Sequence, residues 1–198
     1  MKRLATALLP ALLLLAATAC GPRRDFTDAS LIVVLVDSLR ADGLGLHGQA
    51  RDTSPFLDEL ARESVVFERA SSASSYTRES VASLFTGRLP SREGAVGWPA
   101  RPSLASHTLP ELFQEAGYAT GLFSNSIMIR DPGFLAGFET ARFVGRSQMV
   151  SQQSVPLTRA ALDFVKRAGE RPFFLYLHYL DPHGPYEPPP RFREAFPT

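Results

Sequence analysis

Leu31–Val36 is an unbroken apolar run, LIVVLV, rich in β-branched residues, and it stops abruptly at Asp37. A run that short with no polar face predicts a strand buried in the middle of a sheet. Tyr118–Phe123 and Phe173–His178 repeat the pattern, and Val65-Val66-Phe67 predicts a further short strand. Between these runs the apolar positions switch to helical spacing. Thr53-Ser54-Pro55 offers a hydroxyl cap and a first-turn proline, followed by Phe56, Leu57, Leu60 and Ala61 on one face. Thr77 to Thr86 reads as a helix that Gly87 stops. Thr108 with Glu111 forms a capping box for a helix ended by Gly117. Val155–Ala168 carries Leu157, Ala161, Leu162, Phe164 and Val165 on its apolar side and ends at Gly169. Arg88–Arg101 and Ser124–Gly137 read as irregular, and the chain closes in Pro-rich sequence. Apolar strands alternating with capped helices give an α/β class with a mostly parallel sheet covered on both faces.

The chain start departs from this pattern. Lys2 and Arg3 precede the apolar stretch Leu8–Ala17, which is too short to span a bilayer, and small residues lead into Cys20. Residues 1–19 read as a signal peptide. The sequence before Cys20 resembles a bacterial lipobox, which implies cleavage there and lipidation of Cys20. Residues 20–30 then form a tether and 31–198 the exported domain. The expected address is extracytoplasmic, anchored to a membrane through Cys20, with the residues after it favouring the outer membrane. Cys20 is the single cysteine, so the domain holds neither a disulfide nor a cysteine nucleophile. The 198 residues carry 21 basic and 20 acidic side chains, a balance that gives no support to nucleic-acid binding.

Candidate chemistry sits at element ends. A carboxylate at the carboxyl end of a parallel strand lies where open α/β sheets bind ligands, and Asp37 is a hard oxygen donor suited to a divalent metal. It could equally cap the segment after it. Thr77 falls at the start of a helix, where free N–H groups favour an oxyanion, although a threonine there is also an ordinary cap. His183 lies in Asp181-Pro182-His183-Gly184-Pro185-Tyr186 after the last strand. His178, inside an apolar strand, reads as structural, and His47 and His107 carry no signal.

Four segments in order resemble the sulfatase branch of the alkaline phosphatase superfamily. VDSLRADGLGLHG is similar to its first metal-binding segment and SPFLDELARESVVFERA to the helix and strand that follow. TRESVASLFTGRLPS resembles the nucleophile segment, and DPHGPYEPP the histidine segment. The resemblance implies an alkaline-phosphatase-like three-layer sandwich. Anchored on Thr86-Gly87-Arg88, it places Thr77 at the nucleophile position, with Glu79 for the family proline and Val81 for the arginine. Threonine cannot become formylglycine, and Ser124-Asn125-Ser126-Ile127 stands where sulfatases carry a G-K-W-H segment. The implied activity is therefore a metal-dependent hydrolase of sulfate or phosphate esters. Asp37 and Thr77 would bind a divalent cation (calcium, magnesium, manganese or zinc), Thr77 would form a covalent intermediate, and His183 would assist the leaving oxygen. The later Asp-His or Asp-Asn pair of the superfamily has no counterpart after His183. The fold is thus expected to be incomplete at its C-terminus, and the alternatives are a phosphoethanolamine-type transferase or an inactive binding module.

Overall fold

The structure is a computed structural model, and it describes residues 28–93, 96–97, 107–145 and 153–195. The expected signal peptide, Cys20 and most of the expected tether lie outside the described residues. Four strands form one all-parallel sheet: β1 (Leu31–Val36), β2 (Ala119–Ser124), β3 (Thr140–Phe143) and β4 (Phe173–Tyr179), in the order β1-β4-β2-β3. Three of these are the runs expected from the sequence, shifted by a residue at most. The fourth, TARF, is too short and too mixed to stand out.

Helices cover both faces. They are α1 (Pro55–Ala61), α2 (Thr77–Thr86), α3 (Pro90–Glu93), α4 (Leu109–Glu115), α5 (Pro132–Leu135), α6 (Ser154–Ala168) and α7 (Pro190–Ala195). On one face Val81, Ala82 and Phe85 of α2 pack with Phe134 of α5 against Leu122, Phe174 and Tyr176. On the other, Leu157, Ala161 and Phe164 of α6 pack against Phe123, Leu175 and Leu177. Gly121 of β2 makes room for α6, since a Cβ there would lie 2.9 Å from the Phe164 ring. The Thr108–Glu111 capping box opens α4, and Gly87 ends α2 in the left-handed region.

Five expectations need correction. Leu31–Val36 is a strand, but it lies at the sheet edge among the described residues, not in the middle. Its Val33 and Leu35 pack on the α2 face, while Ile32 and Val34 are 51% and 57% exposed. Val65–Phe67 forms no strand, and all three side chains are exposed. Unpaired with any strand and unpacked on the core, the segment has β propensity that does not by itself make a strand. The apolar face of α1 also meets solvent, with Phe56 75% and Leu60 51% exposed. Ser54 sits at the α1 N-cap without capping it; its hydroxyl accepts from Gly45 N–H and donates to Asp58 instead. Finally, Ser124–Gly137 is not wholly irregular, because Ile127–Ile129 forms a 3-10 turn and α5 follows.

Candidate active site

β1 delivers Asp37 at its carboxyl end, and the Asp37 N–H donates to the carbonyl of Tyr179 at 2.8 Å, fixing the backbone at the sheet's rim. The chain then turns through Ser38, a non-glycine residue at φ 59. Such left-handed geometry costs about 1–3 kcal/mol and gathers at functional sites. Here it brings the Ser38 hydroxyl to Asp37 Oδ1 at 3.1 Å.

Thr77 is the first residue of α2, whose N-cap is Tyr76. The Thr77 hydroxyl does not cap the helix; it donates to Asp37 Oδ2 at 3.0 Å, across 40 residues of sequence. Arg78 beside it is buried, bonded to the Met128 carbonyl and the Asp131 carboxylate, with its guanidinium 5.1 Å from the Phe134 ring. Those contacts lock the first turn of α2 in place. Glu79 accepts from the Ser74 hydroxyl and the Gly97 N–H at 2.6 Å each, and these bonds hold its carboxyl below the ordinary range.

Asp37, Thr77 and His183 line one cavity of about 610 Å³, as the sequence led one to expect, together with Tyr76 and Met128. His183 is exposed there, its Nδ1 2.7 Å from the Gly184 carbonyl, which leaves Nε2 available. A neighbouring cavity of about 350 Å³ shares Asp37 and Thr77 and adds the hydroxyls of Ser72, Ser74 and Ser80. His47 and His107 line neither cavity.

His178 is a structural strand residue, as the sequence suggested, and it has a partner that the sequence did not reveal. It is fully buried on β4, yet its Nε2 lies 3.2 Å from Asp37 Oδ2 and its Nδ1 3.3 Å from the Tyr176 hydroxyl. Asp37 Oδ2 therefore takes contacts from Thr77 and His178 together. Burial alone pushes the Asp37 carboxyl up. The hydrogen bond and charge of His178, then the Thr77 and Ser38 hydroxyls, outweigh it and hold the group down to about 2. Burial and the Asp37 charge push the Tyr176 hydroxyl far above its usual value, so it stays a neutral donor.

A sulfatase-family model matches residues 29–198. The chain belongs to the sulfatase family. The N-acetylgalactosamine-6-sulfatase of Canis lupus familiaris is 27% identical over 88% of this family member and 43% of that protein. A structure solved in complex with its substrate D-glucosamine-2-N,6-O-disulfate superposes at a TM-score of 0.74, with 20% identity, covering 85% of this chain and 38% of that one. The phosphonate monoester hydrolase of Agrobacterium radiobacter superposes at 0.68 with 18% identity, covering 85% and 44%. The sheet is thus part of the alkaline-phosphatase-like fold, and this sulfatase-family chain spans less than half of each of these proteins.

Members of the family are generally metal-dependent. Asp37 and Thr77 offer hard oxygen donors on one side of a cavity, the right kind for a divalent cation. Among the described residues, however, no group of three or more His, Cys, Asp or Glu side chains could hold one. The donors present are of the right kind and too few.

Proposed function

We propose that this chain carries the nucleophile half of a hydrolase for sulfate or phosphate esters, with Thr77 attacking the ester and forming a covalent intermediate. The Thr77–Asp37 contact of 3.0 Å at the N-terminus of α2 carries this reading. The first turn of the ten-residue helix, Thr77 to Glu79, lines the same cavity, and a helix's positive dipole end favours the charge of a bound oxyanion. In the attack, the Thr77 oxygen would bond to sulfur or phosphorus as the bond to the ester oxygen breaks, the hydroxyl proton passing to solvent and the leaving oxygen taking a proton for which His183 Nε2 is the candidate donor; a water molecule would then cleave the Thr77 intermediate and restore the hydroxyl. Asp37 orients the hydroxyl, but a carboxyl held at about 2 is a poor base. A divalent cation held by Asp37 and Thr77 would supply the missing activation by lowering the hydroxyl's pKa. The names of relatives, an N-acetylgalactosamine-6-sulfatase and a phosphonate monoester hydrolase, span both sulfur and phosphorus chemistry. A second reading, an inactive binding module, draws on the shortage of metal ligands among the described residues.

The test is turnover of an aryl sulfate and an aryl phosphate with and without added divalent cation. Cation-dependent release that Thr77→Ala abolishes supports the hydrolase. Release that survives in Thr77→Ala removes Thr77 as nucleophile, and no release with any cation favours the binding module. We also infer membrane anchoring through a lipidated Cys20 outside the cytoplasm, from the charged start, apolar stretch and small residues before it. An unmodified Cys20 in the mass spectrum of the mature protein would overturn that.

A further inference from the structure

Tyr176 and His178 are fully buried polar residues that the proposed reaction leaves unused. They lie two apart on β4, so both side chains point to the face of the sheet that α2 covers. The Tyr176 ring meets Phe85 of α2 edge-on, with centroids 5.0 Å apart. Its hydroxyl lies 3.3 Å from His178 Nδ1, and neither atom has another partner among the described residues. A carboxylate only accepts, so the opposite ring nitrogen, Nε2, donates to Asp37 Oδ2 at 3.2 Å. The imidazole is thus held at both ring nitrogens, as a strut between the core and the edge of the cavity. Thr77 donates to the same oxygen, Oδ2, at 3.0 Å, while the Ser38 hydroxyl takes Oδ1. Oδ2 has two lone pairs, and both are used.

Two soft torsions meet at this oxygen. An aspartate carboxylate turns about a broad, roughly two-fold χ2, and a threonine in a helix divides between two χ1 rotamers. The Arg78 contacts fix the backbone of the first turn of α2 but not the Thr77 side chain. We infer that His178, braced by Tyr176, is a positioning residue for Thr77. By pinning the Asp37 carboxylate it selects the Thr77 rotamer that donates to Oδ2, which leaves the oxygen's lone pairs to the cavity that Thr77 lines. Tyr176 acts at both ends, since it braces the imidazole and also seats α2 through Phe85. The value of this for turnover rests on the reading of Thr77 as nucleophile; the rotamer itself does not.

Vicinal NMR couplings from the Thr77 methyl carbon to its own backbone nitrogen and carbonyl carbon read that rotamer on the full chain in chelator. Three variants separate positioning from packing. His178→Gln returns an amide N–H near the place of Nε2, His178→Leu fills the space but donates nothing, and Tyr176→Phe keeps the ring on Phe85 while removing the brace. The native chain and His178→Gln should show the couplings of a single rotamer. His178→Leu should show averaged couplings, and Tyr176→Phe should move toward them. Averaged couplings in the native chain overturn the inference, as do native couplings in His178→Leu. Where circular dichroism shows that His178→Leu does not fold, native couplings in Tyr176→Phe overturn it instead. Averaging in His178→Gln as complete as in His178→Leu assigns His178 to packing and overturns it too. With an aryl ester and a divalent cation, kcat should fall about 10- to 100-fold in His178→Leu at unchanged KM and recover in His178→Gln. The couplings need no turnover, so a native chain that cleaves no ester removes the hydrolase reading while the couplings still decide the positioning of Thr77.

Discussion

Acid should weaken this protein through Asp37 in a narrow window. In the folded chain the carboxyl lies at about 2, against 3.8 for a free aspartate. Each unit corresponds to ~1.4 kcal/mol, so the difference amounts to ~2 kcal/mol of stabilisation. Asp37 is only 15% exposed, so solvent screening removes little of it. The sign follows from proton counting. Near pH 3 the unfolded chain protonates Asp37 and the folded chain does not, so the unfolded state binds more protons and stability falls with pH. The contribution is complete above the unfolded value near 4 and is lost as pH falls through about 2. Asp37→Asn isolates it, because an amide keeps the shape and one acceptor but cannot titrate. Urea unfolding of both proteins, followed by circular dichroism in chelator, should show their stability difference shrinking by ~2 kcal/mol between about pH 5 and pH 2. A difference that stays constant across that window would refute the argument that His178, Thr77 and Ser38 hold the carboxylate.

Removing His178 should be costly twice over. His178→Ala strands the Asp37 carboxylate and the buried Tyr176 hydroxyl, for a loss of about 2–4 kcal/mol in urea unfolding, and it should raise the carboxyl titration of Asp37 seen by NMR. Tyr176→Phe, which keeps the ring packed against Phe85, should cost about 1 kcal/mol. Gly137→Ala should destabilise by about 2–5 kcal/mol, since φ is +81 and the new Cβ would meet the Glu111 backbone nitrogen at 2.2 Å. A Gly137→Ala melt within error of the native chain would mean that this turn can move away from α4. Thr108→Ala should lose about 0.5–2 kcal/mol with its capping box, read from the same denaturation curves.

The sheet and its covering helices were legible because the apolar runs and the caps agree locally. LIVVLV, the Thr108–Glu111 box and Gly87 each specify their element without help from distant residues. What local pattern cannot convey is which neighbour an apolar face meets. LIVVLV specifies a strand covered on both faces, yet the described residues cover only its Val33 and Leu35 side. The same blindness applied to His178. Inside FFLYLHY a single histidine looks like a satisfied core residue, and it is buried as such a residue would be. Its partner is visible only once the register is known. Leu35 pairs with His178 in the parallel ladder, so Asp37, two residues on and just past the end of β1, lies at the end of β4 with its Oδ2 3.2 Å from the imidazole Nε2. Thr77 was placed by its helix start, and the cavity adds what spacing could not, that its hydroxyl faces Asp37 rather than its own backbone. The histidine, the carboxylate and the hydroxyl thus form one connected polar line from the sheet interior to the cavity. Each member sits at or near the end of a core element, where a buried polar group can find a partner without interrupting the packing around it.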